Sequence, residues 1–223
     1  IMGTYSVMIR ENEVLAKEYE HINAVPMWVM GFPPYQIISS GPAMRKLEDF
    51  NGKVIRSAGG TLTLTIEALG AAPAEIVVAD LYVSMQRGTV DGTISGINSV
   101  KPYNVQELMK SMSLNGAFGT FANVFAINAD VWAGLPSGVQ DDMKRCGFQT
   151  EEWLATTMDS EAGELAKEFK DMGIDMFEFT PEELTALNDA LSNVHEDWTT
   201  RLADRGLPAA EVLERYRAEL AKH

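Results

Sequence analysis

Lys53-Val54-Ile55-Arg56-Ser57-Ala58-Gly59-Gly60-Thr61-Leu62-Thr63-Leu64-Thr65-Ile66-Glu67-Ala68-Leu69-Gly70 reads as one complete βα unit. Lys53 to Arg56 is a short run of β-forming residues, and Leu47 to Gly52 before it makes a helical turn closed by glycine. After Gly59-Gly60, the apolar residues Leu62, Ile66 and Leu69 recur at helical spacing, and Gly70 is placed to stop that helix. Arg56 therefore sits at the C-terminal end of a strand. The pattern then repeats. Ala74 to Val78 reads as extended, Asp80 to Gln86 as helical with Gly88 as its stop, and Val90 to Ile94 as the start of the next strand. Short strands alternating with helices predict an α/β fold with largely parallel pairing and a ligand crevice at the carboxyl ends of the strands. Arg56 and Ser95 point toward such a crevice.

Upstream, Val25 to Met30 and Gln36 to Ser39 read as two strands joined by a tight loop through Gly31-Phe32-Pro33-Pro34. Downstream, Phe121 to Ile127 reads as another strand and Ala129 to Ala133 as a helical turn. From Ser137 the texture becomes charged and amphipathic. Ser137 to Met172 reads as one long helix or two, with Gly147 as the weak point at a cost of about 1 kcal/mol relative to alanine. Ile174 to Phe179 follows as a short strand. Thr180-Pro181-Glu182-Glu183 combines an N-cap, a proline at the first helical position and a capping-box glutamate. That helix is expected to run to about Asp204, and Gly206-Leu207-Pro208 separates it from a last helix over 209–222.

Composition narrows the function. The 223 residues are 46% hydrophobic, enough for a sizeable core, and no run of apolar residues is long enough to span a membrane. A formal net charge of −14 argues against nucleic acid or an anionic membrane surface as a partner. Cys146 is the only cysteine, read as a buried or idle thiol, so no internal disulfide and no multi-cysteine metal site can form. Ile1 to Arg10 lack the features of a signal peptide, which reads as a removed leader or an incomplete chain.

No strong catalytic signature is present. Gly92-Thr93-Ile94-Ser95-Gly96 lacks the glycine spacing of a nucleophile elbow. His21, His195 and His223 are isolated and read as solvated surface histidines, and no phosphate loop or dinucleotide fingerprint occurs. The acidic residues from Glu161 to Asp171 read as a solvated helix face. No catalytic residue, metal site or cofactor is expected. Arg56 differs. A guanidinium beside a glycine pair and a helix N-terminus can grip a carboxylate through two parallel hydrogen bonds. On the residues alone, a surface salt bridge explains Arg56 equally well.

Three segments resemble those of solute-binding proteins of tripartite ATP-independent periplasmic (TRAP) transporters. They are Leu47 to Arg56, Glu67 to Pro73, and Leu81 to Gly92, the last being the most specific. Lys101 to Gln106, Ile127 to Pro136 and Gly206 to Leu220 extend the likeness over nearly the whole chain. The resemblance implies a periplasmic binding protein-like α/β fold. Residues 1–223 would form a single family domain of two α/β lobes, closing on a ligand cleft and carrying long C-terminal helices. The first part of the N-terminal lobe is expected to be absent.

The implied function is capture of a small organic acid in the periplasm by a monomeric protein, and its delivery to TRAP membrane permease subunits. The resemblance assigns the carboxylate to Arg56. Gln36 falls where many relatives carry a second arginine, which implies fewer ligand charges than a dicarboxylate or a sialic acid has. Ser95 falls where many carry an asparagine. Relatives for 2-oxo acids hold a metal through a glutamate near residues 93–97, a segment with no carboxylate here. The expectation is a monocarboxylate with an apolar or aromatic body. Arg56 would be its anchor, Gln36, Ser95 and Asn98 its polar selectors, and Gly59 would leave room beside Arg56. Phe32 and Val78, with Trp28, Tyr35 and Ile97, are candidates for an apolar wall. An α/β hydrolase or isomerase and the sensory domain of a receptor are the alternatives.

Overall fold

The computed structural model describes residues 2–222, so His223 lies outside the described residues. In chain order the elements are α1 (Met2–Glu11), α2 (Glu13–His21), β1 (Ala24–Gly31), β2 (Gln36–Ser39), β3 (Val54–Ser57), α3 (Thr61–Ala68), β4 (Ala72–Glu75), α4 (Leu81–Gln86) and β5 (Gly92–Ser95). They continue with β6 (Ser111–Ser113), β7 (Ala122–Asn128), α5 (Ala129–Ala133), α6 (Ser137–Asp171), β8 (Asp175–Phe177), α7 (Pro181–Ala190), α8 (Val194–Ala203) and α9 (Ala209–Leu220). The chain divides into two compact units. Of the described residues, 2–32, 121–159 and 199–222 make the first, and residues 33–120 and 160–198 make the second.

The second unit is built on a six-stranded sheet in the order β4-β3-β5-β2-β6-β8. Its pairing is mixed rather than largely parallel. β3 runs parallel to both β4 and β5, and β6 runs parallel to β8, but β2 is antiparallel to both of its neighbours. Four-residue apolar runs look the same in either orientation, so only the path of the chain decides it. β2 enters from the opposite end to β3 and β5. One face of the sheet packs Ile38 and Met112 against Leu81, Met85, Val100, Leu165 and Phe169, all buried. The other carries an aromatic cluster in which Phe118 lies 5.9 Å from Phe179 and 6.3 Å from Phe50, centroid to centroid. Asn115 pins this cluster, its Nδ2 donating to Phe179 O at 3.0 Å and its Oδ1 accepting from Phe179 N at 2.8 Å.

The first unit contains a two-stranded antiparallel sheet of β1 and β7, with the register shifting between Pro26 and Trp28. β1 and β2 therefore belong to different sheets, and the Gly31-Phe32-Pro33-Pro34 break is a passage between units rather than a hairpin loop. On the edge of β1 away from β7, charged side chains do the work of a neighbouring strand. Glu151 Oε1 accepts from Val29 N at 2.8 Å, and Arg10 Nη2 donates to Met27 O at 3.0 Å. Arg10 and Glu151 pair with each other at 2.7 Å, Ser6 donates to Glu151 Oε2 at 2.7 Å, and the Arg10 guanidinium lies 4.2 Å from the Phe148 ring centroid. Glu151 is only 5% exposed, so the ion pair and these extra bonds offset the cost of its burial.

α6 is one continuous helix of 35 residues. Gly147 does not break it. A Cβ there would stand 2.8 Å from Met27 O, so glycine is what lets this helix approach β1. The expected helix from Thr180 to Asp204 is broken, because α7 ends at Ala190 and α8 begins at Val194. The start of α7 is as the sequence predicts, with Thr180 Oγ1 accepting from Glu183 N at 3.2 Å and Glu183 Oε2 accepting from Thr180 N at 2.8 Å. α1 and α2 fill a region where no elements are expected, and Asn12 caps α2. Cys146 is exposed on α6, not buried. No described helix is long and apolar enough to cross a membrane.

Candidate functional site

The registers of the six-stranded sheet bring several expected residues to one end. Ser57 and Ser95 close the parallel strands β3 and β5, and Gln36, the first residue of β2, lies directly opposite Ser95. Arg56 lies opposite Thr93, and Thr93 lies opposite Ile38. Register partners share a face and alternate residues return to it, so Arg56, Thr93, Ser95 and Gln36 all stand on the face that buries Ile38. Along that face Val54 gives way to Arg56 and Ile38 to Gln36, so its apolar surface becomes polar at this end.

Arg56 is 6% exposed. Its Nε donates to Ile76 O at 2.8 Å, which fixes the plane of the guanidinium. Among the described residues no carboxylate pairs with it and the outer nitrogens of its fork donate to no protein atom. Burial pulls its pKa down, while Tyr35 and Tyr103 act the other way. A guanidinium remains charged even so, since its reference pKa is above about 12. Tyr35 is buried, and that burial pushes its phenol up to about 12, with Arg56 opposing the shift. The loop after β3 is tied by a relay in which Gly59 N donates to Ser57 Oγ at 2.9 Å. Ser57 Oγ lies 3.0 Å from Thr63 Oγ1, and Thr63 Oγ1 donates to Glu75 Oε1 at 2.8 Å.

The remaining expected residues fall into different surroundings. Gln36 is buried with all four valences of its amide used within the protein. Its Nε2 donates to Pro34 O at 3.0 Å and Gly116 O at 2.7 Å, and its Oε1 accepts from Ser113 Oγ at 2.8 Å and Gly116 N at 2.9 Å. A selector needs a free donor or acceptor, and this amide has none left. Asn98 is buried and donates through Nδ2 to Glu161 Oε2 at 2.6 Å, so Glu161, exposed on α6 as the sequence predicts, also holds this amide. Ser95 is buried at its strand end.

Gly59 is set by its backbone, with φ +92, and the atoms nearest to an added Cβ belong to the Glu75 carboxylate at 3.9 Å, not to Arg56. Val78 opens a 3-10 turn and is half-buried, so the extended stretch expected over 74–78 ends at Glu75. Ile97 packs in the core cluster. Phe32 and Trp28 are in the first unit, where Phe32 N donates to Phe121 O at 2.9 Å and Trp28 stacks on Phe125 with centroids 3.7 Å apart.

Sequence reasoning did not single out Tyr103, which acts electrostatically on Arg56. It ends the 3-10 turn Lys101–Tyr103 that follows β5, and the one sign of it is its place in a loop beyond the carboxyl end of a strand. His21 ends α2 and His195 lies in α8. Among the described residues no group of three or more His, Cys, Asp or Glu could hold a metal ion.

The chain spans 58% of the C4-dicarboxylate-binding periplasmic protein DctP of Rhodobacter capsulatus, to which it is 24% identical over 197 residues, or 87% of its own length. It spans 61% of the ectoine-binding periplasmic protein TeaA of Halomonas elongata, at 24% identity over 216 residues and 94% of its own length. Among solved structures, a TRAP solute-binding protein from Rhodoferax ferrireducens in complex with copurified benzoate superposes with a TM-score of 0.90. That match is 19% identical and covers 100% of this chain and 69% of the other. The structure of the ectoine-binding protein of Halomonas elongata superposes with a TM-score of 0.85 at 19% identity, covering 98% of this chain and 70% of the other. These likenesses show the fold. A family model described as bacterial extracellular solute-binding protein, family 7, matches residues 10–201, and the chain belongs to that family.

Proposed function

We propose that the protein is the extracytoplasmic solute-binding component of a TRAP transporter. It holds a small organic acid by its carboxylate on Arg56 and delivers it to the membrane permease, without changing it chemically. One observation carries this reading. A guanidinium that is 6% exposed, with no carboxylate beside it among the described residues, is costly to bury unless an anion meets it. The Nε bond to Ile76 O leaves the outer nitrogens of the fork for a two-pronged contact. Ser95 supplies a hydroxyl on the same face, and Asn98 an amide positioned by Glu161. Gln36 takes no part in contacting the ligand and instead holds the strand end together.

The relatives support a carboxylate. The solved neighbours include proteins with bound mandelate, malonate and orotic acid, each of which carries this group. Membership of an extracellular solute-binding family supports a periplasmic location and a permease partner. A monomer suffices for this role. The protein should be purified without added ligand and denatured, and the released small molecules identified by mass spectrometry. An organic acid recovered in stoichiometric amount is expected. The reading fails if no acid is released and none from a broad panel of carboxylates raises the unfolding temperature.

A further inference from the structure

The hydrogen-bond relay from Gly59 to Glu75 has a direction. A carboxylate only accepts, so the single hydroxyl hydrogen of Thr63 goes to Glu75 Oε1 at 2.8 Å. Ser57 must then donate its own hydroxyl hydrogen to Thr63 Oγ1 at 3.0 Å, which leaves its oxygen to accept from Gly59 N at 2.9 Å. Glu75 therefore orients three donors in series and ties the end of β4 to α3 and to the turn after β3. Ser57 and Glu75 are register partners, as Arg56 and Ala74 are, and successive residues of a strand point to opposite faces. The relay thus stands on the face of the sheet away from Arg56, and the Glu75 carboxylate is turned away from the guanidinium.

What Glu75 holds is the backbone beside Arg56. Ile76 N donates to Ser57 O at 3.2 Å, and Ile76 O accepts from Arg56 Nε at 2.8 Å. That carbonyl lies at the end of an edge strand, since among the described residues β4 has β3 as its one neighbour, and Val77 beyond it is 67% exposed. Such strand ends open locally unless they are tied down. The bond from Thr63 to Glu75 supplies the tie, from the residue immediately before Ile76. We propose that Glu75 and Thr63 are positioning residues of the Arg56 site, acting through the Ile76 carbonyl that sets the plane of the guanidinium, without touching the ligand. Their part in binding rests on Arg56 as the anchor of the carboxylate.

The test reads Arg56 directly, by exchange of its Nε–H with water in side-chain NMR, the signal being assigned by its loss in Arg56→Lys. Glu75→Ala and Thr63→Val should each speed that exchange at least about tenfold, while the backbone amides of β2, two strands from β3, keep their protection. Glu75→Gln and Thr63→Ser should recover most of it, because an amide oxygen still accepts from Thr63 and a serine hydroxyl still donates. The double variant Glu75→Ala, Thr63→Val should be no worse than either single one, since both cut the same chain. Calorimetry with whichever of benzoate, malonate and mandelate binds the parent most tightly should show affinity about three- to tenfold weaker in Glu75→Ala. Unchanged exchange at Arg56 in Glu75→Ala and Thr63→Val overturns the proposal. An equal loss of protection at Arg56 and throughout β2 overturns it too, as general destabilisation, and so does affinity that rises in Glu75→Ala and Glu75→Gln alike, as simple repulsion of the acid. Binding that weakens in Arg56→Ala but not in Glu75→Ala removes the relay from the site and leaves the anchor standing. Binding that survives Arg56→Ala defeats the anchor, while the exchange rates still judge the relay.

Discussion

Gln36 and Gly116 exchange a reciprocal pair of hydrogen bonds, Nε2 to Gly116 O at 2.7 Å and Gly116 N to Oε1 at 2.9 Å, which joins the start of β2 to the loop after β6. An added Cβ at Gly116 would stand 2.6 Å from the Phe118 ring and 3.1 Å from Gln36 Oε1, so glycine permits the approach. Removing the amide would leave the Gly116 N–H and C=O buried without partners. Gln36→Ala should therefore destabilise the fold by about 2–4 kcal/mol in chemical denaturation. Its effect on affinity, once folded, should be small beside that of Arg56→Ala. A large loss of affinity with unchanged stability would return Gln36 to the ligand.

Two glycines on α6 should respond in opposite ways to alanine. Gly163 has open space around its missing Cβ, so Gly163→Ala should gain up to about 1 kcal/mol from helix propensity. Gly147→Ala must push backbone away from backbone at Met27 O and should lose about 1–3 kcal/mol. Thermal and urea unfolding of the two variants beside the parent would measure the difference, and equal effects would contradict the close packing of α6 on β1.

Tyr35 gives a pH dependence of known sign. Its folded pKa, about 12, lies above the ordinary tyrosine value of 10.0, so the folded protein holds the phenolic proton more tightly than the unfolded chain does. The stability this contributes is fully present below about pH 10 and is lost as pH rises through about 12. Tyr35→Phe should flatten that part of the stability curve. An unchanged alkaline slope in the variant would show that the phenol is not shielded as described.

Local chemistry was the legible part of the sequence. The capping box of Thr180 and Glu183 needs only four adjacent residues, and Arg56 at a strand end followed by a glycine pair is equally local. What could not be read depended on partners far along the chain. The orientation of β2 is set by neighbours at Gly92–Ser95 and Ser111–Ser113, and the capture of Gln36 by a residue 80 positions away. Glu161 is an exposed charge, and its bond to Asn98 spans 63 positions of the chain. The break between α7 and α8 falls at Leu191, Ser192 and Asn193, with neither glycine nor proline to mark it. Gly147 carried a signal with two meanings, and only the nearness of Met27 distinguishes a weak point from a close approach.

Calorimetry on the acid recovered from the denatured protein measures whether the Arg56 fork holds the ligand's carboxylate. Truncating a charge-assisted pair of this kind costs about 2–5 kcal/mol, because the carboxylate is left desolvated and unpaired. Arg56→Ala should thus weaken binding by about two orders of magnitude or more. Arg56→Lys should restore only part of the loss, since an ammonium keeps the charge without the planar fork. From about pH 6 to 9 the affinity should be constant, because the guanidinium and a simple carboxylate both remain ionised over that range. Arg56→Ala that stays folded and binds the acid as tightly as the parent does would contradict the account.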